Sequence, residues 1–390
     1  MNGNNGPRYS RRKALLVLTA SVASVIVAAL LVLDMIPGLR GDPGASDSSN
    51  VASRSGFLYA GIPARIEFMT DTGEAIRMNL KNVPDGDLRR GGLSTAKRLD
   101  GAWDILVRTG SVFNPFDPSS ELAILNSNQT TSPVQVSDWM AQVAGSATTV
   151  SQMTSGAFDA TVRPLKTIWK NAAQSGVLPD EADITHALGR MGWGYVTLLR
   201  DGEGKWEIAR NRPAMELDFG GIVKGWSVGM AMTFLQDNGV KSALVQVGGE
   251  IALAGNSPSG RPWRIGIRHP LEPGSNWTIL NISGRTAVST SGNYEQPVMI
   301  GNTAYYHIFD PITGRPIPTD VLGTTVVVSG GPNPNAIADG LATAFAVMGP
   351  DRAIEAAAKM EGVEVLFIVR DPASGAPKER TTPGFDRFRH

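Results

Sequence analysis

Cysteine is absent from all 390 residues. That absence removes disulfides, thiolate metal sites, cysteine nucleophiles and a lipidated N-terminal cysteine together. It assigns no redox compartment, because exported chains also do without the thiol. Net charge is missing too: 36 Lys and Arg balance 36 Asp and Glu. A neutral chain has no electrostatic footprint for nucleic acid. Histidine is scarce, with four in the chain and no two at metal-ligand spacing, which argues against a zinc site. Charged residues reach only 18% against 42% hydrophobic, the balance of a packed globular body. What the chain has in quantity is glycine and proline, 44 and 25, as a fold with many turns requires.

The first 13 residues hold Arg8, Arg11, Arg12 and Lys13 and no acid, and residues 14–33 then carry no charge. Twenty helical residues span about 30 Å, the hydrocarbon thickness of a bilayer. No small-x-small cleavage site follows Leu33, so an uncleaved anchor is expected over a cleaved signal. Ser10-Arg11-Arg12 partly matches a twin-arginine export signal and equally fits a plain basic flank. The basic flank stays in the cytoplasm, which puts everything after Asp34 on the extracytoplasmic side of a single-pass membrane protein. Residues 34–56 read as a flexible Gly/Ser/Asp/Pro tether, 57–370 as one globular domain, and 371–390 as a loose tail or surface arm.

Within the globular part, Arg65–Leu80 reads as a hairpin turned at Asp71-Thr72-Gly73. Leu88–Leu106 reads as a helix interrupted at Gly91-Gly92. Ser137 is placed to cap a helix whose apolar positions are Met140, Val143, Ala147 and Val150. Segments around 243–254, 263–268, 278–282, 286–289, 324–329 and 363–369 read as strands. Ala336–Met348 and Arg352–Met360 read as helices broken by Gly349-Pro350. Clustered strands with irregular helices predict an α+β domain with mixed or antiparallel sheets, not a regular βαβ alternation.

Four segments are candidates for chemistry. Asp218-Phe219-Gly220-Gly221-Ile222-Val223-Lys224-Gly225 takes a strand through two glycines into a helix stopped by Gly239. Paired glycines, a helix N-terminus and Lys224 can hold a pyrophosphate, although the Walker A spacing is absent. The same pattern fits a tight turn with a solvated lysine. Asp339 and Thr343 are four apart on a helix, so their oxygens share a face, and that pair suits a hard cation such as Mg2+. An acid in a helix's first turn, favoured by the dipole alone, gives the same pattern. His307 precedes the turn Asp310-Pro311-Ile312-Thr313-Gly314 and is a candidate general base or a core imidazole. Ser289-Thr290-Ser291-Gly292 reads as a corner able to hydrogen-bond a ligand, without the elbow of a serine nucleophile at that place. Gly248-Gly249-Glu250 is a second glycine pair of close approach.

Taken in order, these segments resemble the ApbE-type FAD:protein FMN transferases. The family's Asp-x-Gly-Gly-x-x-Lys-Gly, Gly-Gly-(Asp/Glu), Thr-Ser-Gly, His-x-x-Asp-Pro-x-Thr-Gly and Ala-Asp-x-x-Ala-Thr stand here at 218–225, 248–250, 290–292, 307–314 and 338–343. Upstream, Ser119-Ser120-Glu121-Leu122 with Asn126 is similar to its Ser-Glu-Leu…Asn segment. Gly156–Leu165 followed by Trp169 is similar to its Gly-x-Phe-Asp-x-Thr-Val-Gly-Pro-Leu…Trp run, with Arg163 at a common glycine. The resemblance implies a T-fold-like α+β catalytic domain that binds FAD with Mg2+ at its pyrophosphate. It implies metal ligation by Asp339, Thr343 and the main-chain oxygen of Gly221. Flavin dinucleotide contacts are implied at Met69, Phe116, Ala157, Phe158, Asp159, Asp218, Lys224 and Val288. It makes His307 the catalytic histidine beside the catalytic Asp339, and the product FMN on a Thr or Ser of an acceptor redox protein, with AMP released. A hydrolase that gives FMN and AMP, or a flavin-binding protein without turnover, would use the same residues.

Overall fold

The computed structural model describes residues 51–58, 61–70, 93–128, 130–292 and 298–389. The expected membrane anchor at 14–33, the hairpin turn at Asp71-Thr72-Gly73 and the interruption at Gly91-Gly92 lie outside them. Among the described residues no helix is long and apolar enough to cross a membrane.

An eight-stranded sheet organises the domain, with every neighbouring pair antiparallel. Its order is β1 (Val51–Phe57), β2 (Pro63–Met69), β6 (Ala243–Val247), β7 (Glu250–Ala254), β10 (Thr286–Gly292), β13 (Val321–Ser329), β14 (Val363–Arg370) and β15 (Pro377–Thr381). A three-stranded sheet joins β3 (Val134–Gln135), β5 (Trp206–Arg210) and β4 (Val196–Arg200), and two hairpins stand apart, β8 (Trp263–Arg268) with β9 (Asn276–Ile282) and β11 (Val298–Ile300) with β12 (Thr303–Tyr305). The expected α+β class holds, with the sheet antiparallel throughout.

Helices cover one face of the main sheet. α1 (Thr95–Phe113) and α6 (Val223–Asp237) pack on β1, β2, β6 and β7, and α7 (Pro334–Ala357) lies across β10 and β13 with α3 (Asp138–Met153) outside it. Up to residue 346 α7 is buried on nearly every side, as a helix enclosed by other elements must be, whereas its last turns carry the exposed Asp351, Arg352 and Glu355. It breaks at Gly349, φ 74°, followed by Pro350, where the sequence places the break. Ser137 caps α3 by accepting from the Met140 amide at 3.2 Å, again as expected.

The opposite face is closed by the β8–β9 hairpin and a 3-10 turn at Phe385–Phe388. Phe385 is fully buried there; removing such a side chain from water contributes about 1.5–3 kcal/mol. The stretch after residue 371 is therefore not a loose tail. β15 pairs with β14, and two phenylalanines enter the core. The tether also ends sooner than residue 56, because Val51–Phe57 is a strand paired with β2.

Candidate active site

The glycine corner is positioned from far away in sequence. Residues 217–219, read from the sequence as a strand end, join no ladder; Asn126 pins Leu217 instead, donating to its carbonyl and accepting from its amide, both at 2.8 Å. Asn126 lies in the last turn of α2 (Glu121–Ser127), whose Glu121 accepts from the backbone amide and hydroxyl of Ser137. The Ser-Glu-Leu…Asn segment is thus a brace for the residue before Asp218.

Asp218 is buried and salt-bridged to Lys166 on α4 (Arg163–Ser175), with Nζ 2.9 Å from Oδ1, and the same oxygen accepts from the Gly220 amide at 2.9 Å. Burial opposes its ionisation, but the Lys166 charge and hydrogen bond, the Gly220 amide and the Arg163 charge together hold its carboxyl below the usual range. The Asp218 amide donates to Ala160 at 2.7 Å, which brings the 157–160 loop to the corner. In that loop Asp159 accepts from Thr161 and from the Trp193 amide, Phe158 is buried in the core, and Ala157 is half-buried. Asp159 is therefore a loop clamp, and Phe158 faces inward.

α6 starts immediately after the corner and crosses α7 closely. A Cβ on Gly225 would lie 2.5 Å from that of Asp339 and would overlap the Asn335 carbonyl. Only glycine permits this approach. It lets the Gly225 amide donate to Asp339 Oδ2 at 2.8 Å. Asn335 ties α7 to the sheet by donating to the Ile251 carbonyl at 3.0 Å. One turn beyond Asp339, the Thr343 hydroxyl stands 3.5 Å from the Gly221 main-chain oxygen. Of the oxygens implied for a metal, the half-buried Thr343 hydroxyl meets the Gly221 carbonyl, and the buried Asp339 carboxylate lies one turn back on α7, tied to the same corner through Gly225.

Lys224 joins them. Its Nζ lies 2.5 Å from Glu250 Oε1, 3.6 Å from Asp339 Oδ1 and 3.4 Å from the Gly220 carbonyl. Glu250 is itself buried and accepts from Ser289 Oγ at 2.9 Å. Burial, then the Glu250 charge, push Asp339 up to about 7 against Lys224 and the Gly225 amide. Asp339 is not a first-turn acid serving the dipole; it sits in the second turn and is 1% exposed.

His307 lies between Tyr306 and Ile308, which pack on Ala346 and Val347 of α7, just past Thr343. The following turn is fixed by Trp169, whose indole donates to the Gly314 carbonyl at 3.0 Å. Phe116 is 75% exposed, with Arg163 and Lys170 each 5.6 Å from its ring. Arg163 also binds Glu216 at 2.9 Å and the Pro115 carbonyl at 3.3 Å, so the arginine at the family's glycine position ties this turn down.

Two implied contacts do not join the cluster. Val288 pairs with Ile251 and Val327 and is buried with them on the hairpin side of the sheet, whereas Ser289 and Glu250 face α7. Met69 lies opposite Val51 and beside Ser242, at the end of β2 away from the Gly248–Glu250 turn. Conversely, Lys166 takes part although no motif in the sequence points to it, while Ser289, from the corner read as able to hydrogen-bond a ligand, turns its hydroxyl to Glu250 at the end of the second glycine pair. Gly225-Trp226-Ser227-Val228-Gly229 also spells a nucleophile elbow. Ser227 is buried within α6, past its first turn, and donates to the Lys224 carbonyl at 2.7 Å, which rules out that role.

The model described as "ApbE family" matches residues 75–367, well over half of the chain. The chain belongs to the ApbE family. A relative from Vibrio cholerae serotype O1 called FAD:protein FMN transferase is 31% identical over 325 residues, covering 82% of this chain and 93% of its own length. One of the same name from Chlamydia pneumoniae is 32% identical over 272 residues, 68% of this chain and 80% of that protein. Among solved ApbE structures, the flavin transferase ApbE from Vibrio cholerae superposes with a TM-score of 0.69 at 26% identity, over 87% of this chain and 99% of that one. The ApbE motifs read from the sequence therefore coincide with family membership and with the fold.

Proposed function

We propose that this chain is an FAD:protein FMN transferase that moves FMN from FAD onto a Thr or Ser hydroxyl of an acceptor protein and releases AMP. Family membership and the names of its relatives support the transferase activity. The observation that carries the finer reading is the convergence of Asp339, Thr343 and the Gly221 carbonyl beside Lys224 at the glycine corner.

That donor set fits Mg2+. All three are hard oxygens, and among the described residues no group of three or more His, Cys, Asp or Glu gathers as a denser metal cage would need. Mg2+ characteristically takes one or two carboxylates and completes its shell with water and substrate phosphates. Asp339, Thr343 and Gly221 would hold it, and when bound it supplies charge neutralisation at the diphosphate oxygens. Lys224 places a further positive charge at the same corner. Asp218 and the 157–160 loop line the neighbouring wall.

His307 is the group assigned to accept the proton of the acceptor hydroxyl. The hydroxyl oxygen then bonds to the FMN-side phosphorus, the bond to the bridging oxygen breaks, and AMP leaves with that oxygen. The apolar run at 14–33 is proposed as a membrane anchor that holds the domain on the extracytoplasmic side, where membrane or exported redox proteins would be the acceptors.

Incubation with FAD, Mg2+ and a candidate acceptor tests this. A fluorescent acceptor band on a denaturing gel with matching AMP is the expected result. Free FMN and AMP without a labelled acceptor would make the chain a hydrolase, and bound FAD without AMP would remove catalysis.

A further inference from the structure

Lys224 is gripped unequally by three oxygens. The Glu250 contact is shortest at 2.5 Å, the Gly220 carbonyl follows at 3.4 Å, and Asp339 is longest at 3.6 Å. Glu250 is 3% exposed, and its second oxygen is occupied by the Ser289 hydroxyl at 2.9 Å, directly across the β7–β10 ladder. Both carboxylate oxygens therefore engage the protein, unlike the oxygens of Thr343 and Gly221, which face each other across a contact at the outer limit of a hydrogen bond. A carboxylate so engaged is an anchor. Lysine is otherwise a flexible four-carbon arm, and ordering it before a ligand arrives lowers the entropic cost of binding.

We infer that Glu250, braced by Ser289, is a positioning residue that sets affinity for the substrate's diphosphate by fixing the Lys224 ammonium at the glycine corner. The Glu250 contact is the one retained when the diphosphate binds, and the longer Asp339 contact is the one given up. This rests on the FAD reading above. It assigns to the Gly-Gly-Glu strand end a role in substrate affinity exercised wholly through Lys224.

A double-mutant cycle isolates such a pairwise role. Equilibrium dialysis would give the Kd for FAD of the full chain, Glu250→Gln, Lys224→Met and the double variant, without and with Mg2+, alongside thermal melts and the KM and kcat of AMP release. Glu250→Gln should weaken FAD about tenfold when Lys224 is present, with KM rising by a similar factor, and by no more than about twofold in the Lys224→Met background. Ser289→Ala should move Kd in the same direction by about threefold and likewise lose its effect without Lys224. Should Glu250→Gln fail to fold, the Ser289→Ala cycle decides alone. Equal weakening in both backgrounds, or an unchanged Kd with Lys224 present, would overturn the inference while leaving the transferase reading in place. A wild-type chain that binds no FAD would overturn both.

Discussion

Thr343 and Gly221, 122 positions apart in the chain, face each other at 3.5 Å, hydroxyl against main-chain carbonyl. Neither oxygen is tightly engaged by the other, since 3.5 Å is the outer limit of a hydrogen bond. The carboxylate of Asp339 stands one turn back on the same helix and is held in place by the Gly225 amide. A carboxyl, a hydroxyl and a main-chain oxygen are thereby gathered at one helix crossing.

Asp339→Asn keeps the shape of the side chain and its ability to accept from Gly225, while removing the charge. Divalent-dependent AMP release should fall about 10²–10³-fold, the scale of losing one preorganised electrostatic group. The melting temperature should hold or rise, because a buried like-charge contact with Glu250 is relieved. Turnover within threefold of the parent would take Asp339 out of the metal site.

The same carboxyl gives a pH dependence with a definite sign. Asp339 titrates at about 7 in the fold, against about 3.9 in an unfolded chain. Between those values the native state keeps a proton that the unfolded state has released. Its stabilising contribution is complete below the unfolded pKa and is lost as pH rises through about 7. A divalent cation binds the ionised form, so added Mg2+ should raise the melting temperature more at about pH 8 than at about pH 5.5. Equal increments at the two pH values would contradict the assignment, and Asp339→Asn should flatten the cation-free profile.

His307→Asn should separate binding from chemistry. A proton acceptor contributes typically about 10²–10⁴-fold, so AMP release and acceptor labelling should drop on that scale while the Kd for FAD stays within about threefold. A matching collapse in FAD affinity would show that His307 holds the substrate instead of serving as base.

Gly225→Ala tests the helix crossing. The added methyl meets Asp339 Cβ at 2.5 Å and the Asn335 backbone, which cannot yield as a side-chain tip could. Urea denaturation should register a loss of about 1–3 kcal/mol, together with weaker Mg2+ stabilisation. Gly229→Ala, whose methyl would sit 3.2 Å from Asn335 Cβ, is the milder control on the same face. Similar losses from the two substitutions would mean that the α6–α7 approach is not set at Gly225.

Local signals made part of this legible in advance. Ser137 announces its helix because a cap is chemistry between neighbours three residues apart. Gly349-Pro350 announces its break because φ is fixed within the residue. The Asp339–Thr343 pair was visible as a helix face, and the glycine corner as a turn. Val288 and Met69 were named through the resemblance, yet their place relative to the cluster was not legible, because a strand's alternation says only that two faces exist; the register that decides which end and which face meets α7 is set by other strands. Lys166 escaped because it reaches Asp218 across 52 positions. Phe385 escaped because a sequence rich in turn formers around it hid one buried ring.

α7 both carries Asp339 and Thr343 and is the post around which the largest core cluster is assembled. Those two residues cannot swing aside with the helix without opening the interior. Ligand entry and product exit must then be accommodated by the corner and the surrounding loops, and amide exchange in α7 should be among the slowest in the domain. Tolerance to mutation follows the same line: the Ala and Gly residues of the buried part of this helix are constrained by packing on every side, so change is easier in the loops around the corner than on α7 itself.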